Sequence, residues 1–175
     1  MEPTGASVLV YLGLGANLGD REATFQGAIE ALRAAGVVPL RRAPLYESEY
    51  IGPWGPQPPY LNTVLEALTE QPPIELLRRT KRVEAAFGRR PETHLRPRTL
   101  DIDILLYADW AIRHPALVVP HPRLCERRFM LEPLRDLGVL ERRADLAACL
   151  AALAAQPAPR LVAAGGNESH EPIEL

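Results

Sequence analysis

Apolar and polar positions alternate along this chain in blocks with strand and helix periods. Residues 8–15 (VLVYLGLG) are almost wholly apolar, which suits a buried strand and falls far short of a membrane span. From Asp20, a natural helix cap, Phe25, Ala28, Ile29, Leu32 and Ala35 recur at helical spacing until Gly36 provides a stop. Residues 37–47 read as a second strand. Residues 60–68 read as a third, with Tyr60, Asn62 and Val64 on one side. The connection before it (GPWGPQPP, with Trp54 at its middle) is too rich in Pro and Gly for a helix or a central strand. A connection of that length can act as a flap. Pro72 and Pro73 open a second helix bearing Ile74, Leu77, Thr80, Lys81, Glu84 and Phe87, closed by Gly88. Helical pattern returns over residues 124–136, where Pro133 should interrupt it, and over residues 144–155.

This order of elements predicts an α+β, ferredoxin-like βαββαβ core. An antiparallel sheet should carry the two main helices on one face, with a small hairpin and C-terminal helices added. The expected organisation is a single domain over residues 1–155 and a poorly ordered tail over residues 156–175, where Pro, Gly, Asn, Glu and Ser dominate.

One stretch departs from a simple apolar pattern. In residues 97–107 (PRTLDIDILLY), Asp101 and Asp103 share one face of a strand while Leu100, Ile102, Ile104 and Leu106 fill the other. The run reads as a central strand with its carboxylates turned away from the two main helices. Buried carboxylates need positive partners, and the preceding loop supplies four arginines, including Arg89 and Arg98. Two carboxylates about 6–7 Å apart at Cα suit the divalent ions of phosphoryl chemistry. The plain alternative is a half-exposed strand whose carboxylates face water. Lys81 and Glu84, three apart on one helix face, read first as a surface ion pair and only second as a ligand contact. Gly-Ala-Asn-Leu-Gly (15–19) lacks the endings of known phosphate loops and reads first as a tight turn.

Composition narrows the picture a little. The 175 residues carry a formal net charge of −2, which gives no broad attraction to nucleic acid or anionic membrane. Lys81 is the one lysine among many arginines, a bias that suits bidentate phosphate recognition and equally fits a compositional bias of the genome. Cys125 and Cys149 alone imply no disulfide framework and fit a reducing, cytoplasmic setting.

Several motifs together carry a resemblance: Leu14 to Gly19 (LGANLG), Tyr60-Leu61-Asn62, Arg98 to Ile104 (RTLDIDI), Val119 to Pro122 (VPHP) and Arg127 to Met130 (RRFM). In this order and spacing the chain resembles the 6-hydroxymethyl-7,8-dihydropterin pyrophosphokinases of folate biosynthesis from about Val8 to Leu134. The resemblance implies transfer of pyrophosphate from ATP to the pterin hydroxymethyl group with release of AMP. It implies two Mg²⁺ ions on Asp101 and Asp103, with Arg89 and Arg98 as further catalytic residues. Lys81, Glu84, Arg98, Ile104, His121 and Arg127 are implied around the nucleotide. Ser48, Ile51, Tyr60, Asn62 and Phe129 are implied around the pterin, the two aromatic rings stacking on its faces. A monomer acting on small molecules, with no nucleic acid or membrane partner, is expected. Leu95, Arg96 and Lys81 depart from the family pattern, all on the nucleotide side. Rival readings are another Mg-dependent nucleotidyl- or glycosyltransferase using the Asp-x-Asp pair, or a non-catalytic ferredoxin-like ligand-binding module.

Overall fold

The computed structural model describes residues 6–50, 53, 55–89 and 97–162. Strand β1 (Val8–Ala16) is the spine of the sheet. It pairs antiparallel with β4 (Tyr60–Thr69) on one side and with β5 (Asp101–Tyr107) on the other. Strands β2 (Val37–Arg42) and β3 (Tyr46–Ser48) both pair with β4, where one long strand was expected. The chain bends between them at Pro44, while the Ala43 N–H still donates to the Val64 carbonyl at 2.9 Å. A separate hairpin joins β6 (Ile112–His114) to β7 (Leu117–Val119).

Helices α1 (Arg21–Ala34) and α2 (Pro73–Ala86) form where their apolar periodicity places them. The Asp20 side chain accepts from the Ala23 N–H, and Gly36 and Gly88 take the positive φ that ends each helix region. Both helices pack on one sheet face. Phe25, Leu32, Leu76 and Val83 meet Leu12, Leu14, Ile102 and Ile104 there. Two further helices, α3 (Arg128–Asp136) and α4 (Ala144–Ala152), cover one end of the opposite face. Met130, Leu131, Leu134 and Leu146 bury Tyr11, Val64, Leu105 and Leu106 beneath them. The other end of that face holds Asp101 and Asp103.

Three further expectations need correction. The Asp strand is not central: β5 lies at the sheet edge and pairs with β1. Its apolar character comes from cover on both faces. A bulge opposite Tyr11 and Leu12 leaves Leu105 without a partner, so Leu105 and Leu106 both join the α3 core. Pro133 does not interrupt a helix. It sits inside α3, and the break falls earlier at Arg127 (φ −114°, ψ 84°), after a 3₁₀ turn over Leu124–Glu126. Pro133 forgoes one N–H bond, and the buried side chains on either side of it hold the helix.

Cys125 and Cys149, expected to form no disulfide, are joined as one. The turn after α3 brings α4 back over the 3₁₀ segment, which sets their Cα atoms 5.0 Å apart despite 24 residues of chain. The described residues of the stretch expected as a poorly ordered or loosely docked tail include a short strand. Strand β8 (Arg160–Leu161) pairs with β3, and the Val162 N–H donates to the Leu45 carbonyl at 2.9 Å. No helix among the described residues is long and apolar enough to cross a membrane.

Candidate active site

The register of β1 explains why the open end of the sheet can hold a ligand. Gly15 lies between Asp101 on β5 and Asn62 on β4, and Gly13 lies between Asp103 and Val64. Two residues without side chains therefore form the floor between the carboxylates and Asn62. A Cβ at Gly13 would stand 2.9 Å from Met130 Sδ, so α3 packs directly on that backbone. A Cβ at Gly15 would meet Asn62 Oδ1 at 3.5 Å, ordinary contact, so Gly15 leaves room rather than avoiding a clash.

Cationic side chains converge on the two carboxylates. Arg98 Nη1 donates to Asp101 Oδ2 at 2.7 Å, and Arg89 Nη1 engages Oδ1 of the same group. Arg127, held where the 3₁₀ turn gives way to α3, donates from Nη1 to Asp103 Oδ2 at 2.9 Å. His121 Nε2 stands 3.8 Å from that same oxygen. Asp103 Oδ1 receives no hydrogen bond among the described residues. Burial alone would raise the Asp101 carboxyl, but the guanidinium groups of Arg98 and Arg89 outweigh it and hold the group below the usual carboxylate range. Burial lowers His121 against the pull of Asp103, and its Nδ1 accepts the Arg123 N–H at 3.2 Å. The imidazole is therefore neutral near pH 7.

Helix α2 braces the free edge of β5. Glu84 Oε1 accepts the Ile102 N–H at 2.6 Å and Lys81 Nζ at 2.8 Å, while Arg89 Nη1 lies 2.6 Å from Oε2. Burial pushes the Glu84 carboxyl up despite Lys81. Lys81 and Glu84 are thus more than a surface pair: Glu84 is buried and fixes the strand that bears both carboxylates. Ile104, expected near the nucleotide, has its side chain in the α1/α2 core.

The second half of the site surrounds Asn62. Its buried Nδ2 donates to Ser48 Oγ at 2.9 Å, and among the described residues no donor reaches its Oδ1. Tyr60 starts β4 on the same face, its ring 6.4 Å from that of Tyr50. Arg98 draws on the Tyr60 hydroxyl as well as on Asp101, so it stands between the two halves. Phe129 lies in the first turn of α3, two residues after Arg127 and partly packed on the second core. Ile51, Trp54, Leu95 and Arg96 lie outside the described residues.

Sequence reasoning missed a connector. Asn17, almost fully buried, accepts the Arg98 N–H on Oδ1 at 2.8 Å. Its Nδ2 donates to Gln57 Oε1 at 3.2 Å and to the Pro58 carbonyl at 3.1 Å. It ties the end of β1 to both the arginine loop and the Pro-rich connection. The signal was present in Gly-Ala-Asn-Leu-Gly, but a loop asparagine reads as a turn residue until its partners are known. Gly13 and Gly15 were also legible as alternate positions in one strand, a pattern that marks close backbone approach. A cavity of about 460 Å³ lies elsewhere, at the start of α1 beside Asp20 and Arg21. It contains none of these groups, so the convergent chemistry outweighs its size.

Among the described residues no set of three His, Cys, Asp or Glu side chains could hold a metal unaided. Two carboxylates on alternate positions of one strand do fit Mg²⁺, which takes oxygen ligands and completes its shell with water and substrate phosphates. Fold and side chains thus define a ferredoxin-like domain with an arginine-lined carboxylate site. The profile of 7,8-dihydro-6-hydroxymethylpterin-pyrophosphokinase matches residues 11–139, and the chain belongs to that family. It is an ATP-dependent diphosphotransferase.

Over 130 residues the chain is 44% identical to the 2-amino-4-hydroxy-6-hydroxymethyldihydropteridine pyrophosphokinase of Aquifex aeolicus, covering 73% of this chain and 79% of that one. The protein of the same name from Bacillus subtilis is 38% identical over 130 residues, covering 74% and 77%. The mitochondrial folate synthesis bifunctional protein of Pisum sativum is 40% identical over 130 residues, but the chain spans 25% of its length. Among solved structures, Plasmodium falciparum HPPK-DHPS with pterin and p-hydroxybenzoate shares the fold with a TM-score of 0.54 at 14% identity, over 75% of this chain and 38% of that one.

Proposed function

We infer that this chain transfers the β,γ-pyrophosphoryl group of ATP to the hydroxymethyl group of 6-hydroxymethyl-7,8-dihydropterin, releasing AMP, in folate biosynthesis. The family match and the two bacterial relatives support the reaction. The observation that carries the residue assignment is the convergence of Arg89, Arg98 and Arg127 on Asp101 and Asp103, above a floor made by Gly13 and Gly15.

Asp101 and Asp103 would hold two Mg²⁺ ions. Bound there, Mg²⁺ supplies charge neutralisation to the triphosphate and to the attacking and leaving oxygens. Arg98, Arg89 and Arg127 are already aimed at the carboxylate oxygens, so phosphate oxygens arriving beside Asp101 and Asp103 meet preorganised donors. Glu84 keeps β5 in register under that load, and Lys81 remains as a cation at the strand edge. His121, neutral, can donate from Nε2 to the nucleotide. On the other side, Asn62 Oδ1, which no donor among the described residues reaches, can accept a ligand N–H, as the polar edge of a pterin requires. Tyr60 and Phe129 provide flat apolar faces for its ring, Ser48 stands beside Asn62, and the resemblance assigns Ile51, outside the described residues, to the same pocket.

Incubation with ATP, Mg²⁺ and 6-hydroxymethyl-7,8-dihydropterin, followed by identification of the nucleotide product, tests the reading. AMP is expected, and ADP without AMP overturns it.

A further inference from the structure

Between the Arg127 segment and the C-terminal helix lies a covalent link that the reaction does not use. Cys125 occupies the 3₁₀ turn two residues before Arg127 and four before Phe129. Cys149 lies on α4, beyond residue 139, where the family match ends. The bond therefore ties an element outside the shared domain to the segment that presents a phosphate-side arginine and a pterin-side ring. Cross-linking limits the conformations open to the joined segments.

Three contacts carry that constraint to the site. Arg127 donates to Asp103 Oδ2 at 2.9 Å. Met130, one turn along α3, packs on Gly13, the cross-strand neighbour of Asp103. Leu146 of α4 is buried among Leu124, Met130 and Leu131, so α4 packs on both the turn and the helix. Arg128 adds polar tethers to the carbonyls of Leu153 at 3.4 Å and Ala154 at 3.3 Å. Without the disulfide, these contacts would still hold α4 near α3. The 3₁₀ turn itself, with Cys125 and Glu126 exposed, would lose its one covalent anchor.

We propose that the Cys125–Cys149 disulfide is a thiol-sensitive clasp that fixes the Arg127–Phe129 segment over β5, so that its reduction weakens substrate binding without unfolding the domain. Cys125 is exposed and open to attack by a dithiol. In the exchange the dithiol thiolate attacks one cysteine sulfur, the S–S bond breaks, and a mixed disulfide forms. The second thiol of the reagent then resolves it. Two electrons and two protons pass to the cysteines, and the reagent leaves as a cyclic disulfide. A disulfide oxidant reverses the transfer.

This inference rests on the proposed function, and the experiment separates the two. Mass spectrometry and thiol titration of the full chain first count free thiols before and after dithiothreitol. Zero before and two after are expected. Calorimetry then follows binding of a non-hydrolysable ATP analogue with Mg²⁺, and of the pterin, to oxidised, reduced, Cys125→Ser and Cys149→Ser protein. The expected result is roughly three- to tenfold weaker binding in the reduced and both Ser forms, with unchanged far-ultraviolet dichroism and a thermal midpoint lower by several degrees. Reoxidation should restore wild-type affinity and leave the Ser variants unaffected. Two free thiols in protein purified without reductant, or equal affinities in all four forms, overturn the clasp. Failure of the oxidised protein to bind either ligand would instead overturn the functional reading.

Discussion

Two arginine–carboxylate clusters sit on the same face of this sheet, and they differ in what is left over. Glu66, under α3, is buried with both oxygens taken. Tyr11 Oη donates to Oε2 at 2.8 Å, and Arg41 donates from Nε and Nη2 to the two oxygens at 2.8 Å each. Arg41 also caps the Leu137 carbonyl at 3.1 Å, and Arg142 reaches Tyr11 Oη at 3.2 Å. Every group is matched, and Leu134 and Leu137 help seal the neighbourhood. At the other end, among the described residues, Asp103 takes its partners on one oxygen, no donor reaches Asn62 Oδ1, and glycines replace side chains between them. A satisfied cluster fixes structure, whereas a half-satisfied one on a bare floor is prepared for a ligand.

The sharpest way to break that contrast is at β5. Asp101→Asn or Asp103→Asn keeps the strand's shape but removes a charge that should act in the transition state. AMP formation in a single turnover at saturating substrates should fall by at least about 10²–10³ while thermal unfolding barely moves. Two folded variants with near-normal rates would remove the site from this strand. Next in size is Asn62→Ala. It should weaken pterin binding by about 1–3 kcal/mol and leave nucleotide binding nearly unchanged, as read by calorimetry.

Glu66→Gln should show the opposite signature, a loss of about 1–2 kcal/mol in denaturant unfolding with kcat retained. Burial would raise Glu66, yet Arg41 and Tyr11 hold it below its ordinary value. A depressed folded pKa adds stability above the unfolded carboxylate range and loses it as pH falls through the lowered value. The variant should therefore unfold with a flatter dependence on acid. A large rate defect in Glu66→Gln would erase the distinction between the clusters. The smallest effect is expected from ending the chain after Gln156, which removes β8 and the exposed Arg160–Glu47 pair. Turnover should stay within about threefold, because Glu47 keeps Arg21 at 3.1 Å and solvent-exposed pairs contribute little.

Much of this was legible from local pattern. The caps of α1, the stop at Gly88 and the shared face of Asp101 and Asp103 follow from spacing and residue chemistry alone. The place of β5 was not, because strand order is a long-range property. Leu105, Leu106 and Tyr107 look central, yet they are buried by α3, a bulge and the α1/α2 core rather than by two neighbouring strands. For the site, the motif resemblance supplied residues that spacing could not. It did not supply Asn17, whose four hydrogen bonds reach 40 or more residues along the chain. Nor did composition show the Cys125–Cys149 pairing, which depends on how α4 folds back.

The paired glycines of β1 have a bearing on inhibitors and on escape from them. A compound resting on the Gly13–Gly15 floor would touch main-chain atoms, which no codon change alters directly. At Gly13 a larger residue would force the end of the Met130 side chain to shift, and at Gly15 it would fill the space beside Asn62 that the proposed pterin would occupy. Resistance would have to arise in the surrounding walls, so a drug that draws its affinity from the floor leaves the enzyme few mutational exits.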